Sequence, residues 1–247
     1  MGIFENFELA LLLTFAATGT SFITASMGIG GGVLLLAILA TTLPPAALIP
    51  VHGLVQLGSN GNRAIMTRNH IDWSMVKSFT AGAVVGAFAA SFVVIQLPLY
   101  LIQLCVALFI LFLVWGPKPR RHQVSEKGQV AYGAATTFLS MFVGATGPLV
   151  AGVVHRQNYD KHSITATFAT CMSFQHLLKM VVFSLVGFTF WQWLPLIIMM
   201  ILGGMLGTWL GLKMLNKIPA GHFKVIFKTV ITLLALRLLW QATYSLI

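Results

Sequence analysis

The chain has 247 residues, of which 57% are hydrophobic and only 8% are charged. A soluble domain carries roughly 25% charged residues, so this composition excludes a soluble protein and predicts an integral membrane protein in contact with the lipid bilayer. The net charge of +10 has no soluble basic domain to carry it, so it indicates membrane topology and anionic-lipid contacts and excludes a nucleic-acid partner.

Apolar segments recur along the whole chain and divide into two sets on either side of one polar linker, 116–129. The first set spans 8–27, 29–42, 46–66, 75–96 and 98–115, and the second spans 129–147, 148–155, 163–186, 192–213 and 220–245. Each set begins with a glycine-broken hairpin and continues with three transmembrane helices. The sequence thus predicts an all-α integral membrane protein with repeat 1 in 1–116, a cytoplasmic linker in 117–128 and repeat 2 in 129–247.

The positions of the basic residues predict the orientation of these segments. Nearly all of the 15 Lys and Arg residues lie in or beside four connections, which are 67–74, the linker, 155–162 and 213–224. Three connections carry no charge, namely 41–46, 96–98 and 187–192. The positive-inside rule places the basic connections in the cytoplasm. Repeat 2 is then inverted relative to repeat 1, and both termini, including Glu5 and Glu8, face outside.

Glycine clusters interrupt the first segment of each repeat, as GIGGG at 28–32 and GATGP at 144–148. Paired breaks in inverted repeats indicate the central site of a secondary transporter. A helix that starts after such a break directs its free N–H groups inward, which suits an anion. The candidate substrate-binding residues here are Gly28, Gly30, Gly31, Gly32, Gly144, Gly147 and Pro148. The alternative is close helix packing, which we expect for the glycines at 82 and 86 and at 203, 207 and 211.

Polar side chains form a stripe on one segment of each repeat. The further candidates for substrate binding are His52, Gln56, Ser59 and Asn60 on 46–66, and Ser173, Gln175, His176 and Lys179 on 163–186. Such stripes avoid lipid and so face the interior. For single residues an alternative role stays open: Arg63 and Lys179 snorkel to the membrane surface, the histidines are core residues, or the glutamines link helices.

Acidic residues are absent from every spanning segment, since Glu5, Glu8, Asp72, Glu126 and Asp160 all lie at the N-terminus or in connections. A cation carrier normally needs intramembrane carboxylates. We therefore expect a small anionic substrate, with His52 and His176 as candidate carriers if protons are coupled. The isolated Cys105 and Cys171 argue against a membrane enzyme. The sequence predicts no catalytic residue, no metal site and no cofactor, and it does not indicate an oligomeric state.

Several motifs resemble the TauE/SafE sulfite exporter family: the N-terminal glycine cluster, Pro44-Pro45, SNGNRAIMTRNHIDW at 59–73 and AGAVVGAF at 81–88. The resemblance implies transport of sulfite, organosulfonates or related sulfur-containing anions across the bacterial cytoplasmic membrane. The chain departs from the family in its thinner second glycine cluster and in His52-Gly53, where small hydroxyl residues are expected. These departures concern the substrate more than the fold.

Together, the residues and the resemblance predict a multi-pass secondary transporter that moves a small sulfur-containing anion by alternating access. A cation or metal permease and a passive anion channel remain the alternative predictions at this point.

Overall fold

The computed structural model describes residues 7–94, 99–116 and 123–215, together with 228–229, 232–237 and 239–240. The described residues form helices and short connections, with no strand among them. The predicted loop 96–98 lies outside this part, as do residues 117–122 of the linker, the ends of the chain with their predicted orientation, and much of segment 220–245.

The helices follow the predicted segments closely. They are α1 (Phe7–Met27), α2 (Gly31–Ala40), α3 (Pro45–Met66), α4 (Trp73–Ser91), α5 (Leu99–Trp115), α6 (Glu126–Val143), α7 (Gly147–Val154), α8 (Lys161–Leu185) and α9 (Leu194–Lys213). Among the described residues, three helical stretches are long and apolar enough to cross a membrane by themselves: Phe7–Met27, Lys161–Leu185 and Trp191–Lys213. The all-helical membrane class is therefore confirmed.

Glycines allow two pairs of helices to touch backbone to backbone. A Cβ built on Gly82 of α4 would lie 1.8 Å from the carbonyl oxygen of Val130 in α6. A Cβ on Gly207 of α9 would lie 2.0 Å from the carbonyl oxygen of Thr18 in α1. No real Cβ fits at such distances, so the predicted packing role of these glycines is confirmed.

Helices α3 and α8 occupy the interior of the molecule and carry half of the buried polar side chains among the described residues. They pack against each other, while α9 also packs on α3 and α4 also packs on α8. The buried polar side chains include His52 and Gln56 on α3 and Gln175, His176 and Lys179 on α8. The prediction that the two stripes face the interior is therefore confirmed.

Asp72 ties the start of α4 to the connection that precedes α8. Its carboxylate caps α4 by accepting hydrogen bonds from the N–H groups of Ser74 at 2.8 Å and Met75 at 3.1 Å, and it also accepts one from the Tyr159 hydroxyl. Partial burial alone would raise the pKa of Asp72, but these hydrogen bonds outweigh it and lower the pKa from its usual 3.8. The Asp72 carboxylate thus has a structural role, since it holds the start of α4 to the connection that precedes α8.

Candidate functional site

A cavity lies where the two helix breaks approach α3 and α8, with an empty volume of ≈ 350 Å³. Its lining includes the predicted residues Gly30, Gly32, His52, Gln56, Asn60, Gly147, Pro148 and His176. Sequence reasoning missed Thr24, Ile29, Val33, Ala145, Phe168 and Met172. None of these described lining residues is acidic, so they place no fixed negative charge in the cavity.

The first break is a left-handed kink between α1 and α2. Gly28 has φ 85° and Gly30 has φ 112°, values that residues with a side chain rarely adopt. The first hydrogen bonds of α2 run from the N–H groups of Val33 and Leu34 to the carbonyl of Gly30. The N–H groups of Gly31 and Gly32 precede this ladder, so the start of α2 presents backbone donors and a positive dipole end beside the cavity.

His52 holds the start of α2 in place. Its Nε2 lies 2.9 Å from the carbonyl oxygen of Gly32, and because a carbonyl only accepts, Nε2 carries the proton in this contact. The opposite ring nitrogen, Nδ1, is buried and has no partner. The amide nitrogen of Gln56 lies 3.4 Å from His52 Nε2. His52 therefore has one nitrogen fixed by the backbone and one available to a ligand or a proton.

His176 of α8 approaches His52 of α3. The two ring centroids are 6.2 Å apart in an edge-to-face arrangement, and both side chains are 1% exposed. The Nδ1 atom of His176 is likewise buried without a partner. Unpartnered buried polar atoms are costly, and here two of them belong to residues that line the same cavity.

The second break is held by side chains of α8. Gly144 has φ 80° and ends α6, and its carbonyl oxygen accepts a hydrogen bond from Lys179 Nζ at 2.7 Å. The amide of Gln175 donates to the Thr146 hydroxyl at 2.6 Å. Pro148 has no N–H, so the start of α7 has fewer free donors than the start of α2. These contacts hold the second break from within the protein, and Gln175 Oε1 is left buried without a partner.

Several predicted site residues lie outside the cavity lining. Gly28, Gly144, Gln175 and Lys179 form or support the breaks, as described above. Gly31 packs against α1, since a Cβ there would lie 1.7 Å from the carbonyl oxygen of Thr20. Ser59 shares a hydrogen bond with Ser21 of α1 at 2.9 Å, and Ser173 donates to the carbonyl of Ala169 in its own helix. The last three thus have structural partners.

The two buried cations do not reach the membrane surface. Arg63 is 1% exposed and Lys179 is 0% exposed, so the alternative that they snorkel is not supported, whereas the inward-facing stripe is supported. Helix α3 packs against α8 and α9, and α8 also packs against α4.

Some missed lining residues carried a signal that could have found them. Thr24 lies one turn before the first break, and Ala145 lies inside the second, so both follow from the position of the breaks. Phe168 and Met172 lie on the face of α8 that also carries His176, at helical spacing. Among the described residues, no group of three or more His, Cys, Asp or Glu could hold a metal ion.

An all-helical membrane fold with a cavity between broken helices is typical of a membrane transporter. The model of the family Sulfite exporter TauE/SafE matches residues 11–238. The chain therefore belongs to the TauE/SafE sulfite exporter family and is a multi-pass membrane protein of a class that transports sulfur-containing anions. Neither the curated proteins nor the solved structures gave a significant match.

Proposed function

We propose that the protein is a secondary transporter of sulfite, an organosulfonate or another small sulfur-containing anion, and that it works by alternating access. The observation that carries this proposal is the start of α2. There, free backbone N–H groups meet the buried Nδ1 atoms of His52 and His176 in a cavity whose described lining has no carboxylate. Backbone donors at a helix start favour an anion, and the absence of acids disfavours a cation.

The anion-binding groups in this proposal are the N–H groups at Gly31 and Gly32 and the side-chain nitrogen of Gln56, which lines the cavity and adds no charge. Asn60 orients this amide, because its Nδ2 donates to both oxygens of Gln56. The imidazoles of His52 and His176 bind or pass a proton that travels with the anion, because both residues line the cavity and each has a ring nitrogen without a partner. In this proposal the second break forms part of the cavity wall through Ala145 and adds no further hydrogen-bond donor for the anion.

The alternating-access part of the proposal rests on an inverted repeat. Gly28 and Gly144 both have positive φ, and Gly31 and Gly147 both begin a helix. The two members of each pair are separated by the same number of residues along the chain. The helix pairs α4–α6 and α1–α9 then correspond, and each joins one repeat to the other through close glycine contacts. Such cross-repeat pairs can move as rigid units around a central site. In this proposal the membrane is the bacterial cytoplasmic membrane, with both termini outside.

Counterflow in proteoliposomes tests the proposed function. Vesicles loaded with unlabelled sulfite should accumulate labelled sulfite through the purified protein, and the rate should saturate with concentration. Unlabelled taurine and sulfate, added outside, would rank the organosulfonate and the fully oxidised anion against sulfite. Saturable counterflow of sodium or nickel without any of the anions would establish the cation alternative instead. Sulfite flux that never saturates and shows no counterflow would establish a passive channel.

Replacing the two glutamines tests which of them belongs to the site. Gln56→Leu removes a lining amide, whereas Gln175→Leu removes a support of the second break that lies outside the lining. We expect Gln56→Leu to raise the KM for sulfite at least tenfold. An unchanged KM in Gln56→Leu would remove this residue from the anion site.

A further inference from the structure

Arg63 is a fully buried cation on α3, one helical turn beyond the cavity-lining residue Asn60. It is 1% exposed and is among the largest fully buried side chains of the described residues. A buried charge without a compensating partner is strongly unfavourable, so an arginine in this position needs a source of negative charge or dipole nearby.

The protein itself provides little compensation for this charge. Arg63 Nη1 donates to Asn60 Oδ1 at 3.3 Å, and Nε is buried without a hydrogen-bond partner. The carboxylates of the described residues are placed elsewhere: Asp72 accepts from Tyr159, Glu126 accepts from Ser78, Asp160 caps α8, and Glu8 lies in the first turn of α1. Within the described part of the chain, then, a neutral amide is the hydrogen-bond partner of this guanidinium.

A continuous row of hydrogen-bonding groups connects Arg63 to the cavity. Asn60 accepts from Arg63 and donates through Nδ2 to the carbonyl oxygen of Gln56 at 2.9 Å and to its side-chain oxygen at 3.3 Å. Gln56 in turn approaches His52 at the start of α2. Arg63 is therefore one side chain away from the cavity lining, on the side of α3 nearest its C-terminus.

Lys179 is the buried cation of α8 that corresponds to Arg63, and it has a hydrogen-bond partner in the backbone. Arg63 and Lys179 are separated by the same number of residues as Gly28 and Gly144, and both cations are buried. Lys179 donates to the carbonyl oxygen of Gly144 at the C-terminal end of α6, where the helix dipole favours a cation. Arg63 instead donates to the side chain of Asn60. Lys179 thus donates to a backbone carbonyl at the end of α6, whereas Arg63, which lies in the last turn of α3, donates to a neutral side-chain amide.

We propose that the Arg63 guanidinium is a second anion subsite, next to the central cavity, which takes an oxyanion as the anion moves along α3 past Asn60. This inference rests on the proposed function and narrows its substrate class. A guanidinium binds two oxygens at once, so the subsite prefers sulfite or a sulfonate to a spherical anion such as chloride. The bound oxyanion supplies the negative charge that no carboxylate of the described residues supplies to Arg63.

The test compares Arg63→Met and Arg63→Lys with Arg68→Met, which makes the same chemical change at an exposed position beyond the end of α3. Sulfite flux in proteoliposomes and the melting temperature with and without sulfite are measured for each. We expect Arg63→Met to raise the KM at least tenfold and to reduce the sulfite-induced rise in melting temperature. Without sulfite, its melting temperature should equal or exceed that of the wild type, because an uncompensated buried charge is gone. Arg68→Met should match the wild type in every measurement.

A structural arginine would give the opposite pattern, with a lower melting temperature in Arg63→Met and an unchanged sulfite-induced shift and KM. That result would overturn the subsite. If Arg63→Met does not fold, Arg63→Lys decides, because lysine keeps the charge and loses the two-pronged geometry. In Arg63→Lys, chloride should then inhibit sulfite flux more strongly relative to the affinity for sulfite. An unchanged ratio of chloride inhibition to sulfite affinity would overturn the proposal. Failure of the wild type to transport any sulfur oxyanion would instead refute the proposed function.

Discussion

The two helix breaks meet the same physical requirement in different ways. Each interrupts a helix inside the protein, where freed backbone groups need partners. At the first break, His52 satisfies the carbonyl of Gly32, while the N–H groups that begin α2 lie before the helical ladder. At the second break, Lys179 satisfies the carbonyl of Gly144 and Gln175 binds Thr146. The first break leaves donors for a guest, and the second is closed by the protein's own side chains.

This difference predicts unequal roles for the two breaks in the proposed binding. Gly30 and Gly32 line the cavity at the first break, whereas Gln175 and Lys179, which support the second, lie outside the lining. Substitutions at the first break should therefore affect anion affinity, and substitutions at the supports of the second should affect stability.

Lys179→Met should give the largest change in stability. It leaves the carbonyl oxygen of Gly144 buried without its donor, which costs about 1–3 kcal/mol, and it removes a cation from the end of α6. We expect a lower melting temperature and reduced flux. Lys77→Met, at an exposed position on α4, is the matched control and should melt like the wild type. An equal or higher melting temperature in Lys179→Met would show that the contact does not stabilise the break.

Gln175→Leu and Gln56→Leu should separate the two breaks most clearly. Gln175→Leu removes a hydrogen bond to Thr146 and should cost about 1 kcal/mol of stability while the sulfite-induced shift in melting temperature is kept. Gln56→Leu should do the reverse and abolish that shift with little loss of stability. Measuring both variants by thermal unfolding with and without sulfite makes each the control of the other. The same pattern in both would remove the distinction between a binding break and a supporting break.

Gly32→Ala should produce a smaller and more local effect. A Cβ at this position would lie 2.7 Å from the amide nitrogen of Gln56, so the amide must move away. We expect the KM for sulfite to rise several-fold without a lower melting temperature, since alanine favours a helix over glycine by up to about 1 kcal/mol. Gly61→Ala is the control, because a Cβ there meets nothing within 4 Å. Equal KM values in the two variants would contradict the placement of Gln56.

The smallest expected effect lies away from both breaks, at Asp72. Its pKa is lowered in the folded protein, so its contribution to stability is present above the usual value of 3.8 and is lost as the pH falls through the lowered folded value. We expect Asp72→Asn to weaken the pH dependence of the melting temperature below about pH 4, while asparagine still caps α4. An unchanged acid profile would place the acid-sensitive group elsewhere.

The helices and their glycine contacts were predictable from the sequence, because apolar length, breaks and small residues at helical spacing are local patterns. His52, Gln56 and His176 were also found, since a polar stripe in a membrane helix has to face inward. The stripe also predicted that Arg63 and Lys179 face inward, but it left snorkelling open for both, because a sequence does not show how far neighbouring helices cover each end of α3 and α8. The same limit explains why Ser59 was assigned to the site, although its hydroxyl binds Ser21 of a distant helix.

Labelled-sulfite counterflow with Gly30→Leu, compared with Gly187→Leu, tests the central claim most directly. Both glycines have positive φ, 112° and 90°, so both substitutions strain the backbone, but Gly30 lines the cavity and Gly187 follows α8 at the surface. The account predicts that Gly30→Leu loses at least nine-tenths of the sulfite counterflow while Gly187→Leu retains most of it. Wild-type counterflow in folded Gly30→Leu would contradict an anion site at the first break.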